Sequence, residues 1–268
     1  GIDFEALNQY FVYGNFPSPY TIFKKIKKLD SSHILILSDK KLEIKKYYEF
    51  YIEKKKTELD YDYKDFDKLI VDSVSKRLIS DAPVGILLSG GIDSSIISII
   101  ASRISKKKID TFSVKFNEPN YDESKYSNFI SKKIESNHHQ IEFSAKNLIK
   151  NVYSVMSSFD EPFSDTSAIP TYLISKYVSK TKKVVLSGDG GDELFFGYNN
   201  YLQFIESFKK REFYDGFLNK LLINLDFLAH KDDVFKKADK KLWSKYYYKY
   251  QARVPEKIRK KLISDIST

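Results

Sequence analysis

The sequence has no cysteine, one methionine and one tryptophan among 268 residues. Without thiols it has no disulfide framework, no thiolate metal site and no cysteine nucleophile. No apolar run reaches membrane-spanning length, and the first residues lack the pattern of a secretory signal. These absences point to a cytoplasmic protein with no membrane partner. Histidine is also scarce. The pair His138-His139 has neither cysteine nor helical histidine spacing beside it, so a loop or strand-edge role is favoured over metal binding. No internal repeat is found. Glycine numbers ten, so the two strings in which it clusters stand out.

What is abundant is charge. The net charge is +9, and a basic balance raises the question of nucleic acid. The lysines come as scattered pairs and triplets, such as Lys54-Lys55-Lys56 and Lys106-Lys107-Lys108. Many fall at helix ends or connections, which favours a solvated surface over a clustered nucleic-acid footprint.

The first fifty residues read differently from the rest. Asp3 caps a short helix with Leu7, Tyr10 and Phe11 on one face, stopped at Gly14. Pro17 and Pro19 then break the chain. Residues 33–37 and 42–48 read as a hairpin around Ser38-Asp39-Lys40, and two strands alone are marginal, so the piece is expected to belong to a sheet whose remainder is absent. Residues 51–61 are charged and aperiodic, the expected linker. From residue 62 onward strands and helices alternate. A stripe at Tyr63, Phe66, Ile70, Val74 and Leu78 predicts a helix. Strands are expected at 84–88, 109–116, 139–143 and 184–186. Helices are expected at 94–102, from Asp122 (with Tyr126, Phe129, Ile130 and Ile134 on one side), through Leu148, Val152, Val155 and Phe159, and from about Pro170 to Thr181. That alternation implies an α/β, doubly wound, mostly parallel sheet, whose ligands bind beyond the carboxyl ends of the strands. After about Tyr201 the chain reads as helical and basic, and Trp243 with Tyr246-Tyr247-Tyr248 reads as helix packing.

Two strings carry the chemistry. Ser89-Gly90-Gly91-Ile92-Asp93-Ser94-Ser95 follows an apolar strand and opens a helix. Paired glycines let backbone approach an anion, the helix start offers unpaired N–H groups, and Ser89, Ser94 and Ser95 add hydroxyls. No Gly-Lys-Ser/Thr follows, so this is not a Walker loop. Asp93 beside a phosphate requires an intervening cation, which argues for Mg2+. The plainer alternative is a turn in which Asp93 or Ser94 merely caps the helix. Leu186-Ser187-Gly188-Asp189-Gly190-Gly191-Asp192-Glu193 is the second string. Glycines interleaved with acids fold poorly, a cost best understood where carboxylates converge on a ligand. Asp192 is the second candidate metal ligand, and Asp189 a candidate to orient or deprotonate an attacking amine. In a third cluster, Glu161 and Asp165 are candidate substrate contacts, with a solvated N-cap equally open.

Together these strings resemble the synthetase domain of glutamine-dependent asparagine synthetases, of the PP-loop ATP pyrophosphatase type. The resemblance runs through residues 84–95, 111–124, 159–172 and 185–198. It implies that Ser89, Gly90, Gly91, Asp93, Ser94, Ser95 and Ser187 grip ATP, with Leu87, Val114 and Gly188 contacting adenine through their backbones. It further implies that Asp93 and Asp192 hold Mg2+ and that Asp189 stands at an acidic active-site position. The implied reaction adenylates a side-chain carboxylate, typically of aspartate, and amidates it with ammonia from glutamine. On this reading residues 1–50 are the tail of a truncated glutaminase domain, 51–61 a linker and 62–268 a C-terminally truncated synthetase domain. No N-terminal cysteine is present, and no downstream catalytic lysine is recognised. The chain by itself is therefore expected to bind ATP weakly or not at all and not to turn over. The resemblance also allows a homodimer of the full-length protein. Three rivals remain open: a related amide ligase (β-lactam-forming or glycan-amidating), an RNA-modifying PP-loop enzyme, and a non-catalytic remnant.

Overall fold

Helix α1 (Phe4–Tyr13) begins and ends where the sequence predicts. The Asp3 carboxylate accepts from the Ala6 N–H at 3.1 Å. Gly14 closes the helix at φ +79°, donating its N–H to the Tyr10 carbonyl, a conformation glycine adopts without cost. The face it buries is set by Ala6 and Val12; Leu7, Tyr10 and Phe11 are only half-buried. Strands β1 (His33–Ser38) and β2 (Lys41–Lys46) form the expected antiparallel hairpin. Leu35 lies opposite Ile44 and Leu37 opposite Leu42, and all four side chains are exposed.

The computed structural model describes residues 1–39, 41–50, 62–118, 122–214 and 252–267. The expected linker 51–61 and the aromatic group at Trp243 and Tyr246-Tyr247-Tyr248 lie outside these. The chain divides into two units. The first comprises Gly1–Lys54, Asp160–Asp165 and Tyr198–Thr268, and the second Lys55–Phe159 and Thr166–Gly197.

The second unit is the α/β body. Its elements are α2 (Tyr63–Leu78), β3 (Val84–Leu87), α3 (Ile92–Ile104), β4 (Asp110–Phe116), α4 (Ser124–Lys133), β5 (Asn137–Phe143), α5 (Ala145–Met156), α6 (Ala168–Val178), β6 (Val184–Leu186) and the short α7 (Gly191–Phe195). The four strands are parallel in the order β5-β4-β3-β6. The chain winds outward from β3 through β4 to β5, then returns to place β6 on the other side of β3. Strand order therefore reverses between β3 and β6, and such a reversal opens a crevice at the carboxyl ends of the two strands. The two glycine strings follow those strands.

Each face of the sheet carries its own core. Phe112, Ile141 and Phe143 pack with Leu173, Ile174 and Val178 of α6, joined by Leu87, Val114 and Leu148. On the other side Ile86 packs with Val74 of α2, Ile100 and Ala101 of α3, and Ile109. Gly85 leaves room for the Phe112 ring, since a methyl group there would stand 2.8 Å from the ring carbon Cε2.

The structure departs from expectation at α4. Its buried residues are Ser124, Ser127 and Ser131, while Tyr126 and Phe129 face outward and Ile130 and Ile134 are half-buried. Close approach accounts for part of this: a Cβ at Gly90 would lie 2.7 Å from both the Ser127 amide nitrogen and Tyr126 Cβ, so the helix backbone packs tightly on the turn at Ser127. Thr111 and Ser113 of β4 are fully buried. Both hydrogen-bond His138, Thr111 Oγ1 to Nδ1 at 2.8 Å and Ser113 Oγ to Nε2 at 3.1 Å. His138 and His139 lie on edge strand β5, as anticipated, with His139 stacked on Phe112. Loss of solvent lowers the His138 pKa below its ordinary value, with the neighbouring His139 acting in the same direction.

Asp110 opens β4. Burial acts to raise its carboxyl, but hydrogen bonds from Lys182, Asn137 and His139 outweigh it and leave the pKa lowered. Lys182 Nζ lies 2.5 Å from Asp110 Oδ2, so this lysine is an internal counter-ion.

The first unit is completed by α8 (Asn199–Tyr214) and α9 (Glu256–Ser267). Arg253 and Val254 donate their N–H groups to the Val12 and Phe11 carbonyls. Arg259 is 4% exposed and donates Nη1 to Asn8 Oδ1 at 2.9 Å. Among the described residues, no helix is long and apolar enough to cross a membrane.

Candidate active site

Strand β3 delivers the chain into Ser89-Gly90-Gly91, and α3 starts at once. Gly90 sits at φ +97°, beyond easy reach of an L side chain, and backs onto Tyr126 and Ser127 of α4. Gly91 is the N-cap of α3, and no side chain caps this helix. Neither Asp93 nor Ser94 thus acts as the cap, although the Ser94 hydroxyl bonds within the turn. The first N–H groups of a helix lack intrahelical partners, and here they stand at a turn with Ser89 and Gly91 exposed. Ser94 and Ser95 are buried. The Ser94 hydroxyl contacts Ser89 Oγ at 2.9 Å and donates to the Gly91 carbonyl at 3.2 Å. Two of the three expected serine hydroxyls thus meet each other.

Strand β6 delivers Ser187-Gly188-Asp189-Gly190 to the same edge. A methyl group built at Gly188 would lie 2.8 Å from the Ser94 amide nitrogen and 3.0 Å from Asp93 Cβ. One built at Gly191 would fall within 2.6 and 2.8 Å of the Asp93 carboxylate oxygens. The second string is thus packed directly on the start of α3. Asp93 and Asp192 are both half-buried, whereas Asp189 is exposed. Asp192 Oδ1 lies against the Cα of Gly197, where a Cβ would collide with it and come within 2.9 Å of Asp192 Cγ.

The three glycines of the second string, and Gly197 just after it, differ in what they require. Gly190 needs its freedom for backbone conformation (φ +91°), since a Cβ there would meet nothing within 4 Å. At Gly188, Gly191 and Gly197 the demand is space. Phe196, between α7 and Gly197, is held at φ +58°, ψ +39°, with the Gly197 N–H donating to the Asp192 carbonyl at 3.0 Å. An aromatic residue in the left-handed region is uncommon. Nothing in the periodicity of the sequence signals this turn.

Leu87 ends β3 and Val114 lies within the neighbouring β4, both with side chains in the α6-side core, which leaves backbone as what they offer a ligand. Glu161 and Asp165 belong to the first unit. Glu161 is ion-paired with Lys28, whose Nζ also donates to the Phe16 carbonyl at 2.7 Å. The Ser164 N–H donates to the Gly14 carbonyl at 2.8 Å.

Among the described residues no three His, Cys, Asp or Glu side chains gather as a metal cluster. Mg2+ needs no such cluster, because it takes one or two carboxylates and completes its shell with phosphate oxygens and water. The oxygen-only donor pair Asp93 and Asp192 suits that ion, and each carboxylate lies in a recess that a Cβ would fill.

A family model for asparagine synthase matches residues 65–266. The chain is 39% identical over 206 residues to a Methanocaldococcus jannaschii protein provisionally named asparagine synthetase (glutamine-hydrolyzing) 2, covering 75% of this chain and 39% of that protein. It is 34% identical over 225 residues to asparagine synthetase (glutamine-hydrolyzing) 1 of Bacillus subtilis, covering 84% and 35% respectively. The chain thus spans well under half the length of these curated relatives. Among solved structures, an NH3-dependent NAD synthetase from Campylobacter jejuni aligns at a TM-score of 0.38 and 16% identity, over 52% of this chain and 62% of that one. That likeness is too loose to bear on the fold. The match over 65–266, which takes in both glycine strings, decides the matter: the chain belongs to the asparagine synthase family.

Proposed function

We propose that this chain is the ATP-using part of an amide-forming ligase that adenylates the side-chain carboxylate of aspartate and amidates it with ammonia. The observation that carries this reading is the seating of Gly188 and Gly191 on Asp93 and Ser94, which joins an uncapped helix start and two carboxylates at one sheet edge. The α3 N–H groups and Ser89 bind phosphate oxygens, and the backbone near Leu87, Val114 and Gly188 borders the base. Asp93 and Asp192 hold Mg2+, which when bound neutralises charge between two anions that must meet. The substrate carboxylate oxygen attacks the α-phosphorus and the bond to the β-phosphate oxygen breaks, releasing pyrophosphate. Ammonia then attacks the acyl carbon, AMP leaves, and the surplus proton passes to exposed Asp189. In the parent protein glutamine is the proposed source of ammonia.

Of the two outcomes expected from the sequence, weak binding is the one proposed here, and it suffices for ATP with Mg2+ at millimolar concentration to raise the melting temperature of this chain by mass action. Asp93→Asn should abolish most of that rise. No rise with ATP and Mg2+ would remove the nucleotide reading. A salt-sensitive rise with tRNA in its place would favour the RNA-modifying class.

A further inference from the structure

We infer that Gly191 and Gly197 are positioning residues whose missing side chains fix where the Asp93 and Asp192 carboxylates stand. This rests on the proposed role of those two carboxylates as cation ligands. Neither glycine has a positive φ, so backbone conformation does not demand glycine at either position. What each lacks is a Cβ, and the space left is filled by a carboxylate. Over Gly191 lies the whole Asp93 head group, both oxygens within 2.8 Å of the Cβ position. Over Gly197 lies Asp192 Oδ1, with Asp192 Cα 3.2 Å from that position. Aspartate has one carbon between its backbone and its carboxyl, so it cannot yield by bending a long chain. Asp93, whose Cγ and both oxygens crowd the Cβ position, must rotate about χ1, which carries its carboxylate out of the recess; Asp192, met at Oδ1, must at least turn about χ2, which re-aims its oxygens.

The arrangement crosses between the strings and also closes within one. Asp93, from the first string, is seated by a glycine of the second, and Asp192 by the glycine that ends its own turn. Phe196 makes that turn tight, because its left-handed backbone brings Gly197 back under Asp192. Both carboxylates are half-buried, so rotation delivers them to water and leaves the core untouched. A methyl at either glycine should therefore cost metal binding far more than folding. Supporting groups one step removed from a metal typically alter its affinity by about 10–100-fold.

The test measures ATP binding by calorimetry across a Mg2+ titration, with ATP in EDTA as the metal-free reference, in the whole chain. Wild type should bind ATP more tightly as Mg2+ rises. Gly191→Ala and Gly197→Ala should each shift the Mg2+ midpoint upward by about tenfold or more, leave the metal-free affinity within about twofold, and keep a cooperative unfolding transition. In an Asp93→Asn background, Gly191→Ala should add nothing further, which a purely structural role would not produce. If wild-type binding ignores Mg2+, the metal reading of Asp93 and Asp192 fails first. If wild type depends on Mg2+ but the alanine variants keep its midpoint, or Gly191→Ala adds its full effect on top of Asp93→Asn, the positioning inference is wrong. Loss of the folded state in both variants also overturns it, since the glycines would then serve the fold.

Discussion

At the scale of single residues, strain and titration are the legible quantities. Phe196 holds a left-handed backbone that costs a non-glycine residue about 1–2 kcal/mol. Phe196→Gly should therefore raise stability by a few tenths to about 1 kcal/mol, the gain reduced by the freer unfolded chain of glycine. Denaturant midpoints measure this, and a loss would mean the exposed ring packs better than its backbone suffers. His138 gives a pH prediction. Its pKa is lowered from an ordinary 6.5, so between those two values the unfolded chain binds the extra proton. Stability is then fully present above about 6.5 and falls as pH drops through that value toward the folded pKa. Asp110 works in the acid range. Its lowered pKa gives stability that is present above 3.8 and lost as pH falls through the lower folded value. His138→Gln should flatten the midpoint-against-pH curve between pH 7.5 and 5 and leave the acid limb below pH 4 intact. A curve parallel to wild type across both ranges would refute the assignment.

At the scale of elements, all the expected strands and helices within the described residues form, with shifted ends. The helix expected at 94–102 runs Ile92–Ile104, and the strand expected from His139 starts at Asn137. Period and glycine placement carry that information, because they report local preference and burial together. Helix α4 shows where such reading stops. Tyr126 and Phe129 look like its inner face, yet the serines are inside, in part because a tight backbone contact with Gly90 outranks hydrophobic transfer there. The same holds for the site. Their glycine-laced settings nominate Asp93 and Asp192 as cation ligands, but their seats on Gly191 and Gly197 depend on distances that no spacing encodes. Lys182 likewise reads as one more surface cation and is instead the partner of Asp110.

At the scale of the whole molecule, the last helix closes the first unit. Arg259 is buried against half-buried Asn8, so Arg259→Ala should destabilise the α1 region by about 1 kcal/mol through the lost hydrogen bond. Faster amide exchange at Ala6 through Val12 would record it, and unchanged exchange there would show the contact to be idle. The α/β body carries a consequence of its own. Val84 pairs with Val184, a hundred positions later in the chain, so the crevice between β3 and β6 closes only once the last strand docks. Contacts this distant in sequence form late, because the intervening loop must be closed first. During synthesis, a chain that has not yet emerged beyond Leu186 has only half of the proposed nucleotide site. Nucleotide capture by a growing chain would thus mark the moment when its sheet is finished.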